Sequence, residues 1–195
     1  MAGNLRATLF EALTGQRGAD VTGRGDLLAQ LRTIGGSSPR TRSGIDLTRA
    51  ATRLGCSRRT VERWVRTATT GTGQRPSKDL AQKLARRARQ AASTKAGRRA
   101  ALQAPRAGVG PAGKRVTISG PQGPRRAGTD YLRDRDTVLT LTPDQARAMF
   151  DAYEQGGDQG WLDWARQHWD TNYLDDWQIV DVTSLSIDNP RRDWT

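Results

Sequence analysis

The chain has 195 residues, a length that suits one ordinary domain or two small ones. Its net charge of +12 divides unevenly: residues 1–127 carry 26 basic and 6 acidic side chains, a balance of +20, and residues 128–195 carry 6 and 14, a balance of −8. One cysteine and one histidine exclude an internal disulfide, a cysteine zinc cluster and paired-histidine metal sites, and no run of 18 apolar residues is present to cross a membrane.

The first segment, MAGNLRATLFEALTG, lacks an apolar core of signal-peptide length after a basic start, so a cytoplasmic, nucleoid-associated location is expected. Residues 1–45 hold two short helical patterns, near Leu5 to Leu13 and Leu27 to Ile34, separated by GQRGADVTGRG and followed by GGSSPRTRSG. Such Gly, Ser and Pro clusters read as loops, and the segment is expected to be a partly ordered arm. Residues 46–102 read as an all-α unit. Its last helix is expected to run from the cap Ser77 through SKDLAQKLARRARQAASTKAGRRAAL, with Leu80, Leu84, Ala88 and Ala91 on one face and almost continuous positive charge on the other.

Residues 103–113, QAPRAGVGPAG, read as a flexible linker. Beyond it, KRVTISG at 114–120 and DTVLTLT at 136–142 alternate β-branched and polar residues as strands do. Thr142, Pro143 and Gln145 combine an N-cap, a proline at the first helical position and a capping-box glutamine. That helix is expected to run to Gly156 with Ala146, Met149, Phe150 and Tyr153 on its inner face. A second follows from about Asp158 to Tyr173 with Trp161, Trp164 and Ala165 at core spacing, and a last strand lies near Trp177 to Ile187. The expected fold class is α+β: an N-terminal helix-turn-helix domain followed by a small acidic domain, 114–195, of order β-β-α-α-β. Tryptophans at helical spacing in an acidic module read as core rather than as base-stacking platforms.

The strongest local signal is LTRAATRLGCSRRTVERWVR, residues 47–66. Ala51 is small where two helices cross, Gly55 can take the left-handed conformation of a turn, and Leu54, Val61 and Trp64 are placed to lock the pair together. Ser57 caps the second helix, expected to reach Thr67 and to act as a recognition helix. Its polar positions Ser57, Arg58, Arg59, Thr60, Arg63 and Arg66 are the candidate DNA contacts, with Ser57, Arg58, Arg59 and Arg63 directed at base edges because arginine pairs both major-groove acceptors of guanine. Thr48 and Arg49, at the start of the first helix, suit phosphate, as do Lys83, Arg86 and Arg87 on the basic helix. Cys56 reads as a small packed side chain and His168 as a helix-surface or packing residue.

Three segments, AATRLGCSRRTVERWV, RPSKDLAQKLARRARQAA and GTDYLRDRDTVLTLTPDQARAMFDAYEQG, follow one another as in the telomere-protecting terminal proteins of Streptomyces linear replicons, which the chain resembles over about residues 46–190. The helix-turn-helix part is shared with many regulators, so residues 128–156 carry the discrimination. The resemblance implies a protein that binds telomere ends, including a single-stranded 3′ overhang, becomes joined to the DNA 5′ end and primes terminal synthesis. In that chemistry a protein hydroxyl attacks the α-phosphate of a deoxynucleoside triphosphate held, with divalent metal, by a partner DNA polymerase. The chain would be primer and substrate rather than catalyst and need no cofactor of its own; its partners would be DNA, a telomere-associated recruiting protein and the polymerase. The resemblance places the acceptor at Thr129, with Tyr131 and then Thr137 as competitors. A helix-turn-helix transcriptional regulator, or a plasmid replication or partition protein, is the alternative. Tyr131 as a nicking nucleophile is the enzymatic one, lacking the histidine cluster that a relaxase metal needs.

Overall fold

The computed structural model describes residues 2–38, 40–126 and 129–190 and is mixed α+β, with helices in the N-terminal part and an antiparallel sheet towards the C-terminus. In chain order the described elements are α1 (Ala2–Thr14), α2 (Leu27–Gly35), α3 (Leu47–Leu54), α4 (Arg58–Thr70), α5 (Lys78–Ser93), α6 (Lys95–Ala107), β1 (Lys114–Arg126), β2 (Thr129–Asp130), β3 (Arg133–Leu141), α7 (Pro143–Asn172), β4 (Trp177–Ile179) and β5 (Ser184–Asp188). They form two compact units, residues 14–101 and residues 1–13 with 102–195.

In the unit of residues 14–101, α2 is a core element: Leu31 and Ile34 pack with Ile45, Ala50, Ala51, Leu54, Val61, Trp64 and Leu84. The glycine-rich run before it is a built loop. Asp20 accepts from Thr22 N–H (2.8 Å), the Thr22 hydroxyl (2.7 Å), Gly23 N–H (3.0 Å) and Gly25 N–H (2.8 Å). Its own N–H meets the Thr33 hydroxyl of α2 at 2.7 Å. Gly23, at φ 70°, lies so close to the Ala85 carbonyl of α5 that a side chain has no room. The expectation of a partly ordered arm therefore fails over these described residues: glycine supplies positive φ and close approach here, not slackness. The single helix expected over 77–102 is also two. Thr94 is extended (φ −112°, ψ 146°), ends α5 and accepts from Gly97 N–H (3.0 Å) at the start of α6.

The other unit joins the first described helix to about the last half of the chain. Leu9 and Leu13 of α1 share a core with Leu102, Val116, Ile118, Leu141, Met149, Phe150, Tyr153, Trp161, Trp169 and Trp177, and Arg6 pairs with Asp158 at 2.8 Å. The expected linker at 103–113 begins as the end of α6, where Arg106 pairs with Asp151 (2.6 Å) and with Glu154 of α7. Val109 then packs against the core. Charge pairing and apolar burial hold a segment whose Gly, Ala and Pro content suggests freedom.

Strand β1 is longer than expected and pairs antiparallel with every other described strand: with β3 from Lys114↔Leu141 to Gln122↔Arg133, with β5 at 115–119, with β4 at 122–124 and with β2 at 125–126. The single last strand expected near 177–187 is two, β4 and β5, laid along one edge of β1. Residues 180–183 bulge between them, opposite Gly120 (φ 147°), which the Asp181 carbonyl approaches too closely for a side chain. Pro121 accepts from Val180 N–H (3.1 Å) and has no N–H to give, so it falls where the ladder is already broken. On the other side α7 begins with the expected capping box: Thr142 N–H donates to Gln145 Oε1 (2.8 Å) and Gln145 N–H to Thr142 Oγ1 (3.3 Å). Gly157 (φ 64°, ψ −144°) kinks it where two helices were expected to meet.

Gln122 and Thr137 are buried polar residues in this core. The Gln122 amide donates to Ile118 O (2.9 Å) and Arg135 O (2.8 Å) and accepts from the Thr137 hydroxyl (2.9 Å) and Trp177 Nε1–H (3.3 Å). Trp169 Nε1–H completes the set by donating to Thr137 Oγ1 (2.9 Å). Both side chains of this pair are thus satisfied without water.

Leu9 is fully buried in a core that, apart from Leu9 and Leu13 of α1, is drawn from residues 102–185. Leu9→Ala should cost about 2–5 kcal/mol, as truncation of a buried leucine does. Denaturant unfolding followed by tryptophan fluorescence checks this, because Trp161, Trp164, Trp169 and Trp177 all report on that unit. An unchanged midpoint would separate α1 from the core.

Candidate nucleic-acid interface

Helix α3 is capped by Asp46, whose carboxylate accepts from Arg49 N–H (2.9 Å), and ends at Gly55 in the left-handed conformation (φ 70°, ψ 38°). The Gly55 and Cys56 N–H groups both donate to Ala51 O, at 2.9 and 3.1 Å, closing the turn. Ser57 caps α4 by accepting from Thr60 N–H at 3.1 Å, and the two hydroxyls lie 2.8 Å apart. Helix α4 runs to Thr70, one turn beyond the expected Thr67, and ends at a second left-handed glycine, Gly71. Val61, Trp64 and Thr67 face the core, which leaves Arg58, Arg59, Glu62, Arg63 and Arg66 exposed on the other side.

The predicted contacts fall into three groups. Ser57, Arg58, Arg59, Thr60, Arg63 and Arg66 all lie on α4 or its cap; Arg58 pairs with Glu62 at 2.9 Å, and among the described residues Arg59, Arg63 and Arg66 make no ion pair. Arg86 and Arg87 are exposed on α5, and Thr48 is exposed at the start of α3. Lys83 and Arg49 are partly committed: Lys83 Nζ donates to Leu54 O at 2.5 Å, on the last turn of α3, and Arg49 lies 3.7 Å from Asp46. Lys83 therefore braces the turn, as a cation at a helix C-terminus does.

Arg53 was not among the predicted residues. Its guanidinium donates to Ile34 O at 2.6 Å, and burial, with Arg49 and Arg87 nearby, holds its pKa below the ordinary arginine value. The i,i+4 spacing from Arg49 on one helix is the sequence signal that could have found it. Burial pushes the Cys56 thiol up, with Lys83 opposing, and Cys56 is partly buried against the core of this unit.

In the other unit, the backbone of Thr129 lies in β2, registered with Arg126 across a hairpin, and its side chain is outside the described residues. Tyr131 is half exposed, and its N–H donates to Pro124 O at 3.1 Å. Thr137 is 1% exposed, and its hydroxyl donates to Gln122 Oε1.

Burial raises the pKa of the Asp20 carboxyl, but hydrogen bonds from the Thr22 hydroxyl and from the N–H groups of Gly25, Thr22 and Gly23 together outweigh it and leave the value below the ordinary one. The folded form thus holds its proton less tightly than the unfolded chain, so the stabilisation is present above the unfolded pKa of about 3.9 and fades as pH falls through the lower folded value. Asp20→Ala should destabilise residues 14–101 by about 1–3 kcal/mol at neutral pH. The gap between variant and parent should close in acid, read as melting midpoints between pH 7 and pH 2.

Comparison of the chain with protein-family models, curated proteins and solved structures returns no match.

Proposed function

We propose that α3, the Gly55 turn and α4 act as a helix-turn-helix that reads duplex DNA, with α4 as the recognition helix. The observation that carries this reading is the sidedness of α4. Val61 and Trp64 lock one face into the core, while Arg59, Arg63 and Arg66 stand on the other without ion-pair partners among the described residues. The Arg59 and Arg63 guanidinium groups, exposed on a rigid helix, match the forked acceptors of guanine. Arg86 and Arg87 on α5 add sequence-independent attraction to phosphate. Arg59→Ala or Arg63→Ala should cost about 1–3 kcal/mol on the preferred site and little on random DNA. Neutralising Arg86 and Arg87 should weaken both alike. Titrations against a selected site and a scrambled duplex separate the two, and equal losses on both for Arg59 and Arg63 would remove base reading from α4.

We further propose that this DNA reader is a telomere terminal protein whose acceptor hydroxyl is Thr129, with Tyr131 as the competitor. The support is the resemblance through residues 128–156, joined by the position of Thr129 in a hairpin strand beside a half-exposed Tyr131. A threonine hydroxyl is a weak nucleophile at neutral pH, so reaction requires a polymerase metal that lowers its pKa and orients in-line attack. The −8 balance of residues 128–195 suits a basic protein partner such as a DNA-bound polymerase or recruiting factor. Incubation with labelled deoxynucleotides, divalent metal and host extract should label the protein, and Thr129→Ala should abolish labelling while DNA binding persists. An alkali-stable adduct would move the attachment to Tyr131. DNA binding with no adduct in any extract leaves the regulator reading in its place.

A further inference from the structure

The stretch between α2 and α3 carries two arginines that neither core nor turn requires. Ser37 and Ile45 form an antiparallel bridge at its base, Ser38 N–H donates to Gly44 O (2.9 Å), and the Thr41 hydroxyl meets Ile45 O at 2.8 Å. Ile45 is fully buried and Gly44 sits at φ 70°, so the loop is pinned at its root and projects outward with Arg40 and Arg42 exposed. It forms one wall of a cleft of about 660 Å³ whose other wall is a flank of α4 bearing Arg58, Glu62 and Arg66. Four arginines line this cleft against one carboxylate, and that carboxylate is already paired with Arg58. Among the described residues Arg40, Arg42 and Arg66 have no ion-pair partner. Like charges gathered without counter-charge disfavour the empty cleft and favour a polyanion in it.

We infer that this cleft clasps one sugar–phosphate strand of duplex DNA, with Arg40 and Arg42 closing on it from the loop and Arg58 and Arg66 from α4. The inference rests on α4 being the DNA-reading helix and adds a second element that grips the backbone beside it. Arg58 and Arg66 are two turns apart, about 12 Å along the helix axis at 1.5 Å per residue. A strand backbone running along this flank would bring more than one phosphate within that span. Backbone contacts of this kind set the register of a recognition helix without reading sequence. The basic pair in SPRTRSG was the signal in the chain; only the bridge that folds the loop beside α4 gives it a task.

The test uses the full chain and a 30-base-pair duplex of random sequence, titrated across salt concentrations. Arg40→Ala with Arg42→Ala should lower affinity by about tenfold or more and flatten the log–log salt slope by about 0.9 for each phosphate no longer neutralised, close to two units in all. The circular dichroism spectrum and melting midpoint should be unchanged, and Arg40→Lys with Arg42→Lys should restore the slope. Binding by the parent with an unchanged slope in the double alanine variant would overturn the clasp and leave α4 as the reader. No duplex binding by the parent would overturn the helix-turn-helix reading and the clasp with it. If the double variant keeps its DNA slope but loses binding to polyglutamate, the cleft belongs to an acidic polypeptide and the assignment to DNA is wrong.

Discussion

Every described strand of the sheet hydrogen-bonds to β1, and that shared dependence governs the C-terminal unit. A strand with neighbours on both edges cannot tolerate proline or a wide bulge at arbitrary positions, because each missing N–H leaves an acceptor without its donor. The GPQGP run of β1 satisfies the constraint by position. Pro121 faces the bulge between β4 and β5, Pro124 accepts from Tyr131 N–H just past β2, and Gly120 and Gly123 stand where other backbones press close. Between the prolines, Gln122 ties the sheet together from its interior. Its amide reaches β1 itself, β3 and the indole of Trp177, so one side chain ties two strands and a tryptophan together.

The helical unit solves a different problem, how to display much positive charge from a small core. Three of its cations are turned inward and committed to structure: Lys83 on the last carbonyl of α3, Arg53 on a carbonyl of the last turn of α2 and Arg98 on a carbonyl of the last turn of α5, each at the negative end of a helix. The remaining arginines of α4 and of the preceding loop point to solvent. A rigid base is what lets exposed guanidinium groups discriminate, because a side chain on a slack helix would give up in ordering entropy what it gained in contact. Here the base includes α2 and the Asp20 loop, residues that lie well before the motif in the chain.

What could be read from sequence was local. The Thr142 capping box, the Ser57 cap, the left-handed Gly55 and the burial of Val61, Trp64 and Trp161 each follow from a few neighbouring residues, and each is present, whereas Trp164, expected beside Trp161 in the core, is only partly buried and Trp169 is the fully buried one. What could not be read was long-range. Leu9 is apolar in any reading, yet nothing near it says that its partners are Val116 and Trp169. Glycine-rich segments were the systematic error, because composition cannot tell a glycine that loosens a chain from one that allows contact, as Gly23 allows α5 to approach. The division of β4 from β5 is hidden for a related reason, since the bulge answers to Gly120 on a partner strand some sixty residues away.

The assembly of one unit from both ends of the chain has a consequence for how the protein is made. Synthesis delivers α1 before the helical unit and the strands and α7 that bury it after that unit. Residues 14–101 can condense before β1 has emerged, because the contacts that build this unit stay within it. Leu9 and Leu13 have no such option and must remain in water, or in the hands of a chaperone, until β1 and α7 have emerged more than a hundred residues later. The entropic cost of that late closure grows only slowly with loop length, and a folded insert shortens the effective loop further. The delay therefore weighs on exposure time rather than on final stability, and it makes the nascent N-terminal helix the segment most open to aggregation and proteolysis during translation.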